Sequence, residues 1–388
     1  MSPARSGAAN QSETMVSPPA ATAEEAATRP VWALLGHKAG DNHQVLALAE
    51  SLGVGFETRH LRYRPTELAS NLLLGPNLHG IRADSRAALR PPWPGLVITA
   101  GRRNEPVARW IRARADHPVR LVHVGRPWAD PADYDLIVTT PQYALGGRDN
   151  VIEVELPLRR TVAAADAAAA VAAWETRLAG LPRPWIAVLV GGTSGMYQLD
   201  GTKAARLAAA AQRLAIELGG SLLITTSPRT PRGAAATIRA QLSVPHHFFE
   251  WRPDAPDNPY AAFLALADRL IVTGESASML AEACATRRPV YIFDMRDRGE
   301  RGPRARLQAL RNALRYRAWT HHLAQRFAPR RMRRDVGRMH AALIGAGRAV
   351  WLGETFPDRE PPPVPGFEEV TRRVRGLLPT DDRVSATP

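Results

Sequence analysis

From Val31 onward, short apolar runs alternate with longer Ala-rich stretches. The run Val31-Trp32-Ala33-Leu34-Leu35 is closed by Pro30 and Gly36. Unbroken apolar character over so few residues marks a strand covered on both faces. Further β-like runs fall at 56–61, 95–100 and 119–124, with weaker ones at 135–139 and 151–155. Helical patterns occupy about 41–52, 66–74 and 104–115. After an Ala-rich helix over 163–178 and the break Leu181-Pro182-Arg183-Pro184, a second series begins. Its strands are predicted at 185–190, 221–225, 246–250, 269–273 and 289–293, and its helices at 202–218, 231–241, 259–267 and 276–286. Helices are then expected within 303–345, and an amphipathic piece over 367–377.

Strands alternating with helices predict parallel sheets with helices on both faces. The expected fold class is therefore α/β, with two tandem Rossmann-like domains and a cleft between them. The expected boundaries are a disordered tail at 1–28, a first domain over 29–162, a second over 163–350, and a C-terminal segment over 351–388 with one returning helix and a disordered end.

Composition adds three constraints. A length of 388 residues suits two domains, and no apolar run is long enough to span a bilayer. Residues 1–28 contain no apolar stretch of the secretory type. With Cys284 as the only cysteine, a disulfide within the chain is excluded, and a reducing compartment is expected. Charge is uneven. Residues 296–338 hold fourteen Arg against Asp297, Glu300 and Asp335, which supplies most of the formal +14. Trp319, Phe327, Met332 and Met339 interleave with those arginines. That pattern suits a peripheral contact with an anionic membrane surface, equally a solvated helix face. No nucleic-acid-binding module is recognisable, so no nucleic-acid partner is expected.

Candidate chemistry gathers where strands end. After the first strand comes Gly36-His37-Lys38-Ala39-Gly40-Asp41-Asn42-His43-Gln44. Asp41 with Gln44 three residues on reads as a capping box, which leaves Lys38, Asn42 and His43 unexplained. Gly101-Arg102-Arg103 follows another strand and suits a phosphate or carboxylate. Gly191-Gly192-Thr193-Ser194-Gly195 lets a ligand approach the backbone closely. Thr226-Ser227-Pro228-Arg229-Thr230-Pro231 brings an arginine to another strand end. In Thr273-Gly274-Glu275-Ser276-Ala277-Ser278-Met279, Ser276 is the expected N-cap, and the free N–H groups beyond it suit a diphosphate. Glu282 shares a helix face with Ser278, while Met279, Leu280, Ala283 and Cys284 face the core.

Gly40-Asp41-Asn42-His43-Gln44, Gly101-Arg102-Arg103, Thr226 to Pro231 and Thr273 to Met279, in this order, resemble the mitochondrial-fission "elongated mitochondria" family, whose bacterial members carry a glycosyltransferase assignment. The likeness covers roughly 30 to 360. It implies a GT-B fold with a nucleotide sugar in the cleft, held mainly by the second domain. The second half is also similar to the lipid-linked N-acetylglucosaminyltransferase of peptidoglycan synthesis, in which a Glu binds the ribose; Glu282 is the matching position. That enzyme's first glycine loop carries a His near the acceptor, and His43 lies comparably, at a different offset from the glycines. The chain departs from the pattern by lacking Gly-Gly-x-Gly-Gly and by having Asn104-Glu105 after the two arginines.

The expected activity is sugar transfer from a nucleotide-sugar donor to a lipid or envelope acceptor, at the cytoplasmic face, without a cofactor or metal. Ser276, Ala277, Ser278, Arg229 and Glu282 are expected to hold the donor, with Gly191, Gly192, Thr193 and Ser194 beside it. Asp41 or His43 is the candidate base, and Lys38, Asn42, Arg102 and Arg103 line the acceptor side. A non-catalytic membrane-associated scaffold and a nucleotide-sugar epimerase are the alternatives.

Overall fold

A computed structural model describes residues 29–64, 75–159, 164–194, 197–253, 255–296 and 334–378. The helix expected at 66–74, the tail at 1–28, the end beyond Leu378, Gly195 and most of the arginine block lie outside the described residues.

The first domain contains β1 (Val31–Leu35), α1 (Ala39–Ser51), β2 (Phe56–His60), α2 (Ala83–Ala87), β3 (Leu96–Ala100), α3 (Glu105–Arg114), β4 (Arg120–Val124), β5 (Leu136–Thr139) and β6 (Val151–Glu153). Its six strands form a sheet in the order β2-β1-β3-β4-β5-β6, every pair parallel. The period of two explains why β1 is apolar throughout. Val31, Ala33 and Leu35 pack with Val45 and Leu48 of α1 on one face. Trp32 and Leu34 pack with Val107 and Ile111 of α3 on the other. The edge strand β2, Phe-Glu-Thr-Arg-His, is covered less and is polar.

The second domain contains α4 (Ala164–Leu178), β7 (Trp185–Leu189), α5 (Gly201–Leu218), β8 (Ser221–Thr225), α6 (Arg232–Gln241), β9 (His246–Phe249), α7 (Tyr260–Leu266), β10 (Arg269–Thr273), α8 (Ala277–Ala285), β11 (Val290–Phe293), α9 (Val336–Gly345) and β12 (Ala349–Trp351). The sheet order is β12-β11-β10-β7-β8-β9, again all parallel. Ala187 and Leu189 join one core, and Ile186 and Val188 the other. The result is two Rossmann-like domains in a GT-B-like arrangement. The strand β12, at the expected domain boundary, and the short α2 escaped the sequence reading because neither has enough residues to show a period.

The arginine block ends differently from the sequence expectation. Met339, taken as part of a membrane-facing pattern, is fully buried in the second core, because α9 packs its Met339 and Leu343 under the sheet.

The last helix, α10 (Glu368–Arg375), crosses back to the first domain. Val370 and Val374 enter the core beside α1. The Ser51 and Thr371 hydroxyls lie 2.9 Å apart, and the Arg375 guanidinium donates to the carbonyls of Ser51 and Leu52 at 2.9 and 3.0 Å. Truncating both valines to Ala should cost about 3 kcal/mol of stability in urea denaturation, at ~0.8 kcal/mol per buried methylene. A loss near zero would mean that α10 does not hold the first domain.

Candidate functional site

In each sheet the chain starts on an inner strand and builds outward in both directions. The reversal lies between β1 and β3 in the first sheet and between β7 and β10 in the second. Open α/β sheets bind ligands outside the carboxyl ends of the strands at such reversals. The loops after β1, β3, β7 and β10 are the four glycine-bearing stretches singled out in the sequence.

After β1, the Asn42 amide closes the turn. Its Oδ1 accepts from the Gly36 N–H and its Nδ2 donates to the Gly36 carbonyl, both at 2.8 Å. Asn42 therefore shapes the loop that the sequence reading put on the acceptor side. The capping box does not form either. Helix α1 begins at Ala39, three residues earlier than that reading requires, and Asp41 lies in its first turn. Gln44 Nε2 donates instead to the Gly40 carbonyl at 3.3 Å. Asp41 turns its carboxylate toward Gly101 and stands 3.8 Å from Lys38 Nζ. Gly101 has φ +75°, and a Cβ there would lie 2.8 Å from Asp41 Oδ2, so the two reversal loops meet only because this residue is glycine.

His37, overlooked in the sequence, lies in the same loop. Its edge faces Tyr63 with ring centroids 5.5 Å apart, and Arg103 Nη1 is 3.0 Å from its Nε2. Burial, and then the nearby Arg103 and Lys38 charges, lower its pKa to about 4, so the ring is neutral at pH 7. His43 is exposed on α1, close enough for its charge to act on Glu282 of the second domain. A Cβ on Gly40 would stand 3.9 Å from the Ser278 hydroxyl oxygen, so the starts of α1 and α8 face each other across the cleft.

The loop after β3 carries Arg102, whose guanidinium lies 4.6 Å from the Trp128 ring, and Arg103, 5.4 Å from the Tyr63 ring. Asn104 turns inward, donating to the Leu34 carbonyl at 3.2 Å and accepting from the Tyr63 hydroxyl. Glu105 is buried, and its carboxylate accepts from the N–H groups of Trp128 and Ala129 at 2.9 and 2.8 Å. That departure from the family pattern thus ties the loop after β4 to the start of α3. The loop also carries Arg126, whose guanidinium is 5.4 Å from the Tyr143 ring.

In the second domain the backbone and a carboxylate pack too closely for side chains. The Gly191 N–H donates to Thr273 Oγ1 at 2.8 Å, and the Gly192 N–H to Glu275 Oε1 at 2.6 Å. A Cβ on Gly191 would lie 1.9 Å from Glu275 Oε1, and one on Gly192 2.1 Å from the Arg229 carbonyl oxygen. Ser227 and Thr230 hydroxyls donate to the Gly191 carbonyl, and the Thr193 N–H donates to the Arg229 carbonyl at 3.1 Å. Glu275 is buried, its pKa raised by desolvation, and its Oε2 has no hydrogen-bond partner among the described residues.

Ser276 holds the N-cap position of α8, but its side chain makes no capping bond. Its Oγ accepts from Arg229 Nη2 at 3.2 Å instead, and the same nitrogen is 3.7 Å from Glu275 Oε1. The first N–H groups of α8 keep the donor capacity that every helix start has. Glu282, one turn on, is half-buried, accepts from the Tyr260 hydroxyl, and has a pKa raised by desolvation. Cys284 is buried, and burial pushes its thiol up to about 12, which makes it a core residue.

Arg334, at the end of the arginine block, turns into the cleft. It donates to Gln142 Oε1 at 2.9 Å in the first domain, and to Ser194 Oγ at 3.1 Å and the Glu275 carbonyl at 3.2 Å in the second. Sequence counted Arg334 as one charge among many and passed over Arg126, since nothing local distinguishes them. The chain's Asp133-Tyr134-Asp135 is a structural pair. Asp133 binds Arg109 at 3.1 Å, and Asp135 accepts from the Leu121 N–H and Arg120 at 2.8 Å, at the amino end of β5 away from the cleft. A cavity of about 470 Å³ opens beside Gly274, lined by Tyr197, Asp294, Arg296, His340 and Trp351 among others.

Desolvation raises the Glu105 pKa from 4.5 to about 7, against the opposing pull of its N–H donors. A carboxyl that keeps its proton longer when folded contributes full stability below about pH 4.5 and loses it as the pH rises toward 7. Glu105→Gln removes that step. Relative to wild type, the variant should gain on the order of 3 kcal/mol between pH 5 and pH 7.5 in chemical denaturation. Parallel pH profiles for the two proteins would show that Glu105 titrates normally.

A profile of the family described as Mitochondrial fission ELM1 matches residues 39–375. The mitochondrial fission protein ELM1 of Arabidopsis thaliana is 25% identical over 262 residues, 61% of this chain, and the match spans 61% of the plant protein. Among solved structures, the UDP-GlcNAc 2-epimerase of Methanocaldococcus jannaschii aligns with 90% of this chain and 99% of its own, at 11% identity and a TM-score of 0.48. A glycosyltransferase of Rickettsia africae aligns with 92% of this chain and 99% of its own, at 10% identity and a TM-score of 0.45. With the profile spanning most of its length, the chain belongs to the mitochondrial fission ELM1 family.

Proposed function

We propose that the protein is a glycosyltransferase that moves a sugar from a nucleoside-diphosphate donor to a lipid or envelope acceptor. The observation that carries this reading is the start of α8. Helix N–H groups, the Arg229–Ser276 contact and the half-buried Glu282 occupy one reversal point of a Rossmann-like sheet. Unpaired helix N–H groups attract a diphosphate. Arg229 adds a planar cation beside it, and Glu282 offers carboxylate oxygens to ribose hydroxyls one turn away. The tight Gly191–Gly192 backbone leaves Thr193 and Ser194 at the cleft wall, beside the donor. The cavity next to Gly274, about 470 Å³, has room for the donor's sugar.

In this reading, charge developing on the leaving diphosphate is met by the helix dipole and by Arg229. The acceptor hydroxyl enters from the first domain. Asp41 or His43, on the α1 start that faces Ser278, takes its proton. Lys38, Arg102 and Arg103 line that side. The arginine block over 296–338 would bring the cleft to an anionic membrane surface from the cytoplasmic side. Among the described residues no helix is long and apolar enough to cross a membrane.

A thermal-shift panel of nucleoside diphosphates and nucleotide sugars tests the donor site. One diphosphate nucleotide should stabilise the wild type. Glu282→Ala and Arg229→Gln should each weaken its binding about tenfold to a hundredfold, the worth of one hydrogen bond to a charged group. Asp41→Asn should leave nucleotide affinity unchanged and slow turnover of a matching donor, measured as formation of free nucleoside diphosphate. Unchanged nucleotide affinity in Glu282→Ala would remove Glu282 from the site. The family match with a fission protein favours a second reading, a membrane-associated scaffold without catalysis. No stabilisation by any nucleotide in the panel would select it.

A further inference from the structure

The two oxygens of Glu282 are in different situations. Oε2 accepts from the hydroxyl of Tyr260, the first residue of α7. Among the described residues no hydrogen bond reaches Oε1. Tyr260 comes from the core side, where it packs against the cluster that includes Phe263, Leu280 and Ala283. Burial, and then the Glu282 charge, lift its pKa well above the ordinary tyrosine range, so the phenol keeps its proton and donates. The other side of Glu282 is the cleft. Ser278 lies one turn earlier on the same face of α8, and its hydroxyl oxygen is 3.9 Å from where a Cβ on Gly40 of α1 would stand. The charge of His43, one turn further along α1, acts on Glu282, as does that of Arg159. Tyr260 therefore holds the carboxylate from the core, and Oε1 is the oxygen on offer to the cleft.

A glutamate side chain has several rotatable bonds, and ordering it when a ligand binds costs about threefold to tenfold in affinity. A bond from Tyr260 removes that cost before the ligand arrives. It also favours the accepting form of the carboxyl. Desolvation raises the Glu282 pKa, and the Tyr260 hydroxyl is the largest influence against that rise. Packing alone would need no hydroxyl here, since Phe would fill the same space.

We propose that Tyr260 is a positioning residue that presents Glu282 Oε1 as a fixed acceptor for a ribose hydroxyl, so that the site selects ribonucleoside diphosphates over analogues without those hydroxyls. This rests on the glycosyltransferase reading above and extends it from the diphosphate to the nucleoside. A ligand without the hydroxyls leaves a partly desolvated carboxylate oxygen with no donor, which is what makes such a site selective.

The test is calorimetric titration of the full chain with UDP, ADP, GDP and CDP, each beside its 2′,3′-dideoxy counterpart. The ribonucleotide that binds should do so about tenfold to a hundredfold more tightly than its dideoxy form. Glu282→Ala should erase that preference. Tyr260→Phe, which keeps the ring, should weaken the ribonucleotide about threefold to tenfold and leave the dideoxy Kd unchanged. In the Glu282→Ala background, Tyr260→Phe should add nothing, because it acts through the carboxylate. Equal binding of the ribo and dideoxy forms to the wild type, equal weakening of both in Tyr260→Phe, or an additive loss in the double variant would overturn the proposal. In each of those cases the donor reading stands if Arg229→Gln still weakens both forms. Absence of binding by every nucleotide in either form would remove the donor reading itself, and this inference with it.

Discussion

In each sheet every strand runs in the same direction, so the loops that follow the strands all leave from one edge. Parallel pairing requires a crossover between neighbours, and most of the crossovers carry helices that cover the two faces. That constraint makes the strands apolar throughout, as in β1 and β7, and expels polar residues to the strand ends. It also determines where chemistry can gather. Asp41, Arg102, Arg126, Arg229, Glu275 and Glu282 all follow the carboxyl end of a strand, though they are spread over most of the sequence.

Close backbone approach is the second constraint. Gly191 and Gly192 let Glu275 and the Arg229 loop press against the strand end, where any side chain would collide. The carboxylate buried there is desolvated, and one N–H, one arginine and the Thr273 hydroxyl offset part of that cost. The arrangement holds Arg229 over the start of α8, so rigidity in the loop becomes position at the candidate site.

Among the described residues, contacts between the two halves are both polar and apolar. Arg334 spans the cleft, Arg348 pairs with Glu155 near the chain crossing, and α10 reaches back to cover α1. Hydrogen-bonded contacts of this sort can be exchanged for ligand contacts at little net cost, which packed apolar surfaces do not allow. The packing of α10 beside α1 tethers the C-terminal segment to the first domain.

The sequence by itself determined the two parallel sheets. Apolar runs such as 221–225 and 269–273 have only one stable environment, between two helix layers, and their limits are marked by local breaks. It also marked the strand-end loops that gather at the sheet reversals, because glycines and polar residues at strand ends are readable one strand at a time. Roles within those loops were not readable. Asn42 became a loop clasp, Asp41 left the cap, and Ser276 gave its hydroxyl to Arg229, since each outcome depends on where a helix starts and what lies across from it. Arg126, Arg334 and His37 carry no local mark at all. Their significance comes from partners distant in the chain, Tyr143, Gln142, Glu275 and Arg103, and only the folding of two sheets against one cleft brings such groups within hydrogen-bond or ring-contact range.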